Sequence, residues 1–251
     1  MSFDTKSSNT LLLGMFYSKF IKKNITWSCQ MPRDRIRCLA LEKHMNMNIF
    51  TLDNKHSADE GMTNKHCQAN FSDPKRLSID LEKLWSNNHK KIEFENICLD
   101  YFFSPQGWAG DRWTNKFFTG TIPFFATNGW LKHNGNIWLP NIKYVSEKIL
   151  EHEEILSKYF LIEFTSDPTQ NPLFKATDLC KKELESCIDI VTNDNELPKL
   201  LVASKFPFVK LTSKTSECNF KDNKKRSLDK TSDNHDKENL TNYNKKMSPN
   251  R

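Results

Sequence analysis

One stretch limits the fold more than any other: Phe94-Glu95-Asn96-Ile97-Cys98-Leu99-Asp100-Tyr101-Phe102-Phe103-Ser104-Pro105. An apolar run closes on an acid, aromatics follow, and Ser-Pro breaks the regular backbone. Asn96 to Leu99 reads as a short strand buried on both faces, as strands of a parallel sheet are. Asp100 then stands at the carboxyl end of that strand, the edge where open α/β sheets take their ligands. Ser104-Pro105-Gln106-Gly107 opens a loop, because the residue before a proline is pushed out of helical geometry.

The same architecture recurs along the chain. Ile25 to Cys29 has the β-branched and aromatic content of a strand, and Pro32 suits the first turn of a helix. That helix runs from Arg33 to Met45, with Ile36, Leu39, Ala40 and Met45 on one side and Arg35, Arg37, Glu42 and Lys43 elsewhere. Asn48 to Leu52 is a second strand, closed by Asp53-Asn54, and His66 to Phe71 a third, closed by Ser72-Asp73-Pro74. Leu77, Leu81, Leu84 and Trp85 recur at helical spacing in a helix over Pro74 to Trp85. After the opening strand, Gly107 to Phe118 reads as a loop, Phe117 to Leu131 as a helix, and His133-Asn134-Gly135-Asn136 as a turn. Ile137 to Leu139 is a fifth strand, Val145 to Lys158 an amphipathic helix and Tyr159 to Phe164 a sixth strand. A helix over Ala176 to Ile190 and a strand over Phe206 to Leu211 follow. This alternation predicts an α/β fold, a three-layer doubly wound and mostly parallel sheet, over residues 25–213. Leu11 to Lys22 reads as a helix, making residues 1–24 an N-terminal helical extension.

Charge and cysteine usage narrow the surroundings. Of the formal net charge of +6, the segment Lys214 to Arg251 carries +4, with ten Lys/Arg against six Asp/Glu. Apolar residues nearly vanish there, so residues 214–251 are expected to form a disordered basic tail. The body is close to neutral, which does not call for a nucleic-acid groove. Seven cysteines without a C-x-x-C pair or zinc-type spacing, and no secretory signal ahead of them, imply reduced thiols in an intracellular protein, cytoplasmic or nuclear. Leu11 to Phe20 is too short to span a bilayer, so no membrane partner is expected. The histidines are scattered, with no helical pair at ligand spacing, and no metal is expected. In the tail, Lys224-Lys225-Arg226, Lys237-Glu238-Asn239 and Ser248-Pro249 match short import, degradation and phosphorylation motifs of the kind that also arise by chance.

From Ile25 to Leu211 the pattern resembles the class I S-adenosylmethionine-dependent methyltransferases. The resemblance rests on Asp53 at the end of Ile49-Phe50-Thr51-Leu52, on Asp100-Tyr101-Phe102-Phe103, and on Leu131 to Pro140 as helix end, glycine turn and fifth strand. It implies S-adenosylmethionine as cofactor, with Asp53 on the ribose hydroxyls and Asn70, or alternatively Asp73, near the adenine. It further implies that Asp100 and Tyr101 orient an acceptor substrate of unknown identity. The turn after the first strand would be Ser28-Cys29-Gln30-Met31-Pro32, which would place Ser28 and Cys29 at the cofactor. That turn has no glycine for close backbone approach, and its proline lacks an N–H. The missing glycine favours a second reading, a catalytically inactive binding or scaffold module of the same fold. Using Leu12-Leu13-Gly14 as the first strand instead leaves a long crossover before Asp53. The loop Gly107-Trp108-Ala109-Gly110-Asp111-Arg112-Trp113 follows the strand ending at Asp100. It should hang over the ligand edge, with Phe103, Trp108, Arg112 and Trp113 as substrate-side residues or as a lid.

Overall fold

The computed structural model describes residues 8–15, 17, 30–54, 56–99, 110–165, 167–173 and 208–214. They form a seven-stranded sheet of order β3-β2-β1-β4-β5-β7-β6. The strands are β1 (Ser8–Leu13), β2 (Met47–Asp53), β3 (His66–Gln68), β4 (Phe94–Leu99), β5 (Leu131–Pro140), β6 (Phe160–Thr165) and β7 (Phe208–Ser213). β1 pairs in parallel with β2 and β4, β2 with β3, and β4 with β5. β7 runs antiparallel to both β5 and β6. The chain therefore starts in the middle of the parallel half, winds out to β3, and returns across β1 to β4. That reversal makes the carboxyl ends of β1 and β4 a topological switch point.

The first strand is the main correction to the sequence reading. Ser8–Leu13 is β1, where a helix over Leu11 to Lys22 was expected, and Ile25 to Cys29 lies outside the described residues. Leu11, Leu12 and Leu13 are all fully buried. Leu11 and Leu13 join one hydrophobic cluster while Leu12 joins the other, as side chains alternate across a strand. A strand covered on both faces needs no polar alternation, so three consecutive leucines suit it.

Helices cover both faces. On one, α1 (Gln30–Met45) contributes Cys38 and Leu41 to the cluster that holds Leu12, Ile49 and Cys98. Arg37, assigned to the polar side from sequence, is buried instead; it precedes Leu41 by one helical turn and shares its face. On the other face, α2 (Pro74–Asn87) adds Leu77, Leu81 and Leu84, joined by α4 (Ile122–Thr127), α5 (Lys143–Glu151) and α6 (Glu153–Leu156). The expected loop from Gly107 to Phe118 is instead helical over α3 (Gly110–Lys116), which runs into a π-helical turn at Phe117–Thr121. The expected helix from Phe117 to Leu131 ends at Thr127. The single helix expected over Val145 to Lys158 breaks at His152, where α6 restarts.

The turn expected at His133 to Asn136 is a bulge inside β5. Phe94 pairs with Leu131 and Asn96 with Asn136, so one strand advances five residues while the other advances two. Asn134 takes φ 58°, and a Cβ on Gly135 would stand 2.9 Å from the Lys132 carbonyl, so only glycine fits. At the amino ends of the parallel strands, polar groups satisfy one another. Asn48 donates to Asn9 (2.9 Å), Asn9 to the Glu93 carbonyl (3.0 Å), and Lys132 pairs with Glu95. The helix expected over Ala176 to Ile190 and the tail from 215 onward lie outside the described residues.

Candidate functional site

The carboxyl ends of β1, β2 and β3 gather a chain of buried polar groups. β1 ends at Leu13, in register with Leu52 on one side and Leu99 on the other. Gly14 then turns with φ 75°, a left-handed conformation suited to glycine, and its N–H donates to the Leu52 carbonyl at 2.7 Å. The glycine turn missing from Ser28 to Pro32 therefore stands after Leu12-Leu13, in the alignment that the sequence reading set aside.

From that turn, Tyr17 N–H donates to Thr51 Oγ1 at 3.1 Å, and Thr51 Oγ1 lies 2.8 Å from His66 Nδ1. His66 Nε2 lies 2.9 Å from the His56 carbonyl. A carbonyl only accepts, so Nε2 carries a ring hydrogen, and in the neutral ring Nδ1 accepts from the Thr51 hydroxyl. Burial, the largest influence, holds the pKa of His66 below the ordinary 6.5, against opposing pulls from the His56 carbonyl and Asp53.

Asp53, the acid at the end of β2, is 5 % exposed. His56 N–H donates to its Oδ1 at 2.7 Å, and His56 Nδ1 donates to its Oδ2 at 2.6 Å. The Asp53 carbonyl accepts from Ala69 N–H at 2.8 Å, which brings the segment after β3 alongside. Asn70 is exposed there, its Oδ1 accepting from Ser72 N–H (3.0 Å) and Ser72 Oγ–H (2.8 Å). Asp73 is the N-cap of α2, accepting from Lys75 N–H and Arg76 N–H at 3.2 and 3.4 Å. A cap is a structural duty, so of the two adenine-side candidates Asn70 is the one with an exposed side chain free of a helix terminus.

The structure thus brings Asp53, Asn70 and Asp73 to one edge. Arg112 and Trp113 lie on α3 rather than on a loop. Arg112 is exposed, while half-buried Trp113 packs edge-on against Phe71 (centroids 5.2 Å) and parallel to Phe117 (5.6 Å). Trp113 therefore borders the segment after β3. Ser28, Cys29, Asp100, Tyr101, Phe103 and Trp108 lie outside the described residues. Gly14, Tyr17, Thr51, His56 and His66 were missed from sequence. The signal available was the glycine after three apolar residues and the histidine three positions beyond the acid. Among the described residues no cluster of His, Cys, Asp and Glu is arranged to hold a metal, and no helix is long and apolar enough to cross a membrane. No protein-family model matches the chain, and no curated protein matches it.

Proposed function

We propose that this chain is a class I methyltransferase-like protein that binds S-adenosylmethionine across the carboxyl ends of β1, β2 and β3. The observation that carries the reading is the buried carboxylate of Asp53 at the end of β2, next to the positive-φ glycine turn that leaves β1. The sheet order supports it: five parallel strands with β1 central, and β7 inserted antiparallel between β5 and β6, is the order of that family. With helices on both faces, it is a three-layer, doubly wound arrangement.

In this reading the Gly14 turn lets backbone approach the methionine part of the cofactor. Asp53 accepts from the ribose hydroxyls, and Asn70 lies at the adenine end. Trp113, beside Phe71, stands on the adenine side rather than over the acceptor. β4 ends at Leu99, opposite Leu13; Asp100 and Tyr101 come next in the sequence and are the residues assigned to orient the acceptor. Methyl transfer needs the nucleophile and the methyl carbon held in line, and positioning alone supplies much of the rate. The acceptor is a nucleophile of unassigned class. Calorimetric titration with S-adenosylhomocysteine tests the reading: it binds the wild-type chain, and Asp53→Ala weakens it by roughly tenfold or more, the worth of hydrogen bonds to a charged group. No heat at millimolar ligand overturns it.

A further inference from the structure

The Asp53 carboxylate is covered by a side chain of the protein itself. Both of its oxygens accept from His56, one from the backbone N–H at 2.7 Å and one from imidazole Nδ1 at 2.6 Å. The two partners differ in exposure: the Asp53 side chain is 7 % exposed and that of His56 33 %. The imidazole is therefore the more exposed member of the pair. The backbone of His56 is pinned at both polar groups, its N–H by Asp53 and its carbonyl by His66 at 2.9 Å. His66 is in turn fixed through Thr51 to the Tyr17 amide. With the main chain held, the movable part is the imidazole, which can leave by rotating about χ1, a motion of the picosecond-to-nanosecond class for a partly exposed side chain.

We infer that His56 is a placeholder in the ligand site, its imidazole occupying the Asp53 oxygen that a vicinal diol must take and swinging out when such a ligand binds. This rests on the nucleoside reading of Asp53. A diol engages a carboxylate through two O–H donors, one on each oxygen. The His56 N–H is fixed in the main chain, so it keeps its bond and shares Oδ1 with one hydroxyl, whereas the imidazole can rotate away and give up Oδ2 to the other. The Nδ1 bond to Oδ2 is the one exchanged. Apo protein thus keeps a buried carboxylate satisfied, and the ligand binds with the net of two bonds made and one broken.

The test is S-adenosylhomocysteine titration of the full chain and of His56→Ala and His56→Asn. Ala removes the competitor and leaves the backbone N–H, whereas Asn keeps an amide donor near the place of Nδ1. The placeholder role requires His56→Ala to bind roughly tenfold more tightly than wild type, the worth of one hydrogen bond to a charged group, with His56→Asn close to wild type. Imidazole 15N spectra of the wild type should show the His56 Nδ1 signal move on saturation while that of His66 stays. Binding unchanged or weakened in His56→Ala, or a His56 signal that does not respond, overturns the inference while leaving the nucleoside site standing. If no chain binds the ligand, including His56→Ala, the nucleoside reading falls and takes this inference with it.

Discussion

Thr51 is the residue on which the polar chain at the site depends, and Thr51→Val isolates its hydroxyl. Thr51 is fully buried on β2, accepting from Tyr17 N–H at 3.1 Å and donating to His66 Nδ1 at 2.8 Å. Valine keeps the shape and removes both bonds, so the amide loses its acceptor and the imidazole its donor inside the core. Each buried group deprived of its partner costs about 1–3 kcal/mol, giving roughly 2–6 kcal/mol for the pair. Thr51→Ser does the opposite, keeping the hydroxyl and losing one buried methyl, for about 1 kcal/mol. Urea unfolding at pH 8, where His66 is neutral in both states, gives the midpoints, and unchanged m-values license the comparison. Serine must be the milder change. If valine costs no more than serine, the hydroxyl is not bridging β2 to the turn after β1, and the tautomer assigned to His66 falls with it.

Leu12→Ala, at a fully buried position of β1, should cost about 2.7–5 kcal/mol, whereas Leu161→Ala, 60 % exposed on β6, should stay within about 0.5 kcal/mol; equal costs in urea unfolding would contradict a central β1. Stability should also fall with acid through His66. Its folded pKa lies below the ordinary 6.5, so between the two values the unfolded chain binds the extra proton. The contribution is complete above about pH 6.5 and is lost as pH drops toward the folded value. His66→Gln should flatten that part of the unfolding-versus-pH curve, and parallel curves would refute the assignment. Cys67, pushed up to about 12 by burial and then by Asp80, and Cys98, pushed higher still by burial alone, should both resist iodoacetamide at pH 8 in the native protein and react in urea. Native-state labelling of either, mapped by mass spectrometry, would show that its burial is wrong.

Much of the sheet was legible because β2, β4, β6 and β7 are short, largely apolar runs ended by acids or polar clusters, and Ser72-Asp73-Pro74 follows β3. α2 was legible for a second reason: Asp73-Pro74 marks its start and Leu77, Leu81 and Leu84 repeat at its period. β1 was not. Leu11-Leu12-Leu13 is buried on both faces, and a strand without alternation has the same pattern as a piece of buried helix. The error moved the glycine turn to Ser28–Pro32, and with it the main objection to cofactor binding. The position of Asp53 at the end of β2 was legible because Asp53-Asn54 closes an apolar run. His56 was not, because its role depends on a three-residue local geometry and on His66, ten positions on, neither of which periodicity reveals. Trp113 was misplaced because glycines were read as loop residues, whereas Gly110 is the first residue of α3.

The central claim is that a nucleoside ligand lies on the carboxyl edge of β1, β2 and β3. Hydrogen–deuterium exchange with and without saturating S-adenosylhomocysteine measures it most directly. The account predicts slowed exchange in peptides carrying Gly14, Asp53 to His56 and Ala69 to Phe71, with no change at Glu93 to Asn96 or Lys132 to Asn136 on the opposite edge. Protection confined to that opposite edge, or exchange unaltered throughout at millimolar ligand, would contradict it.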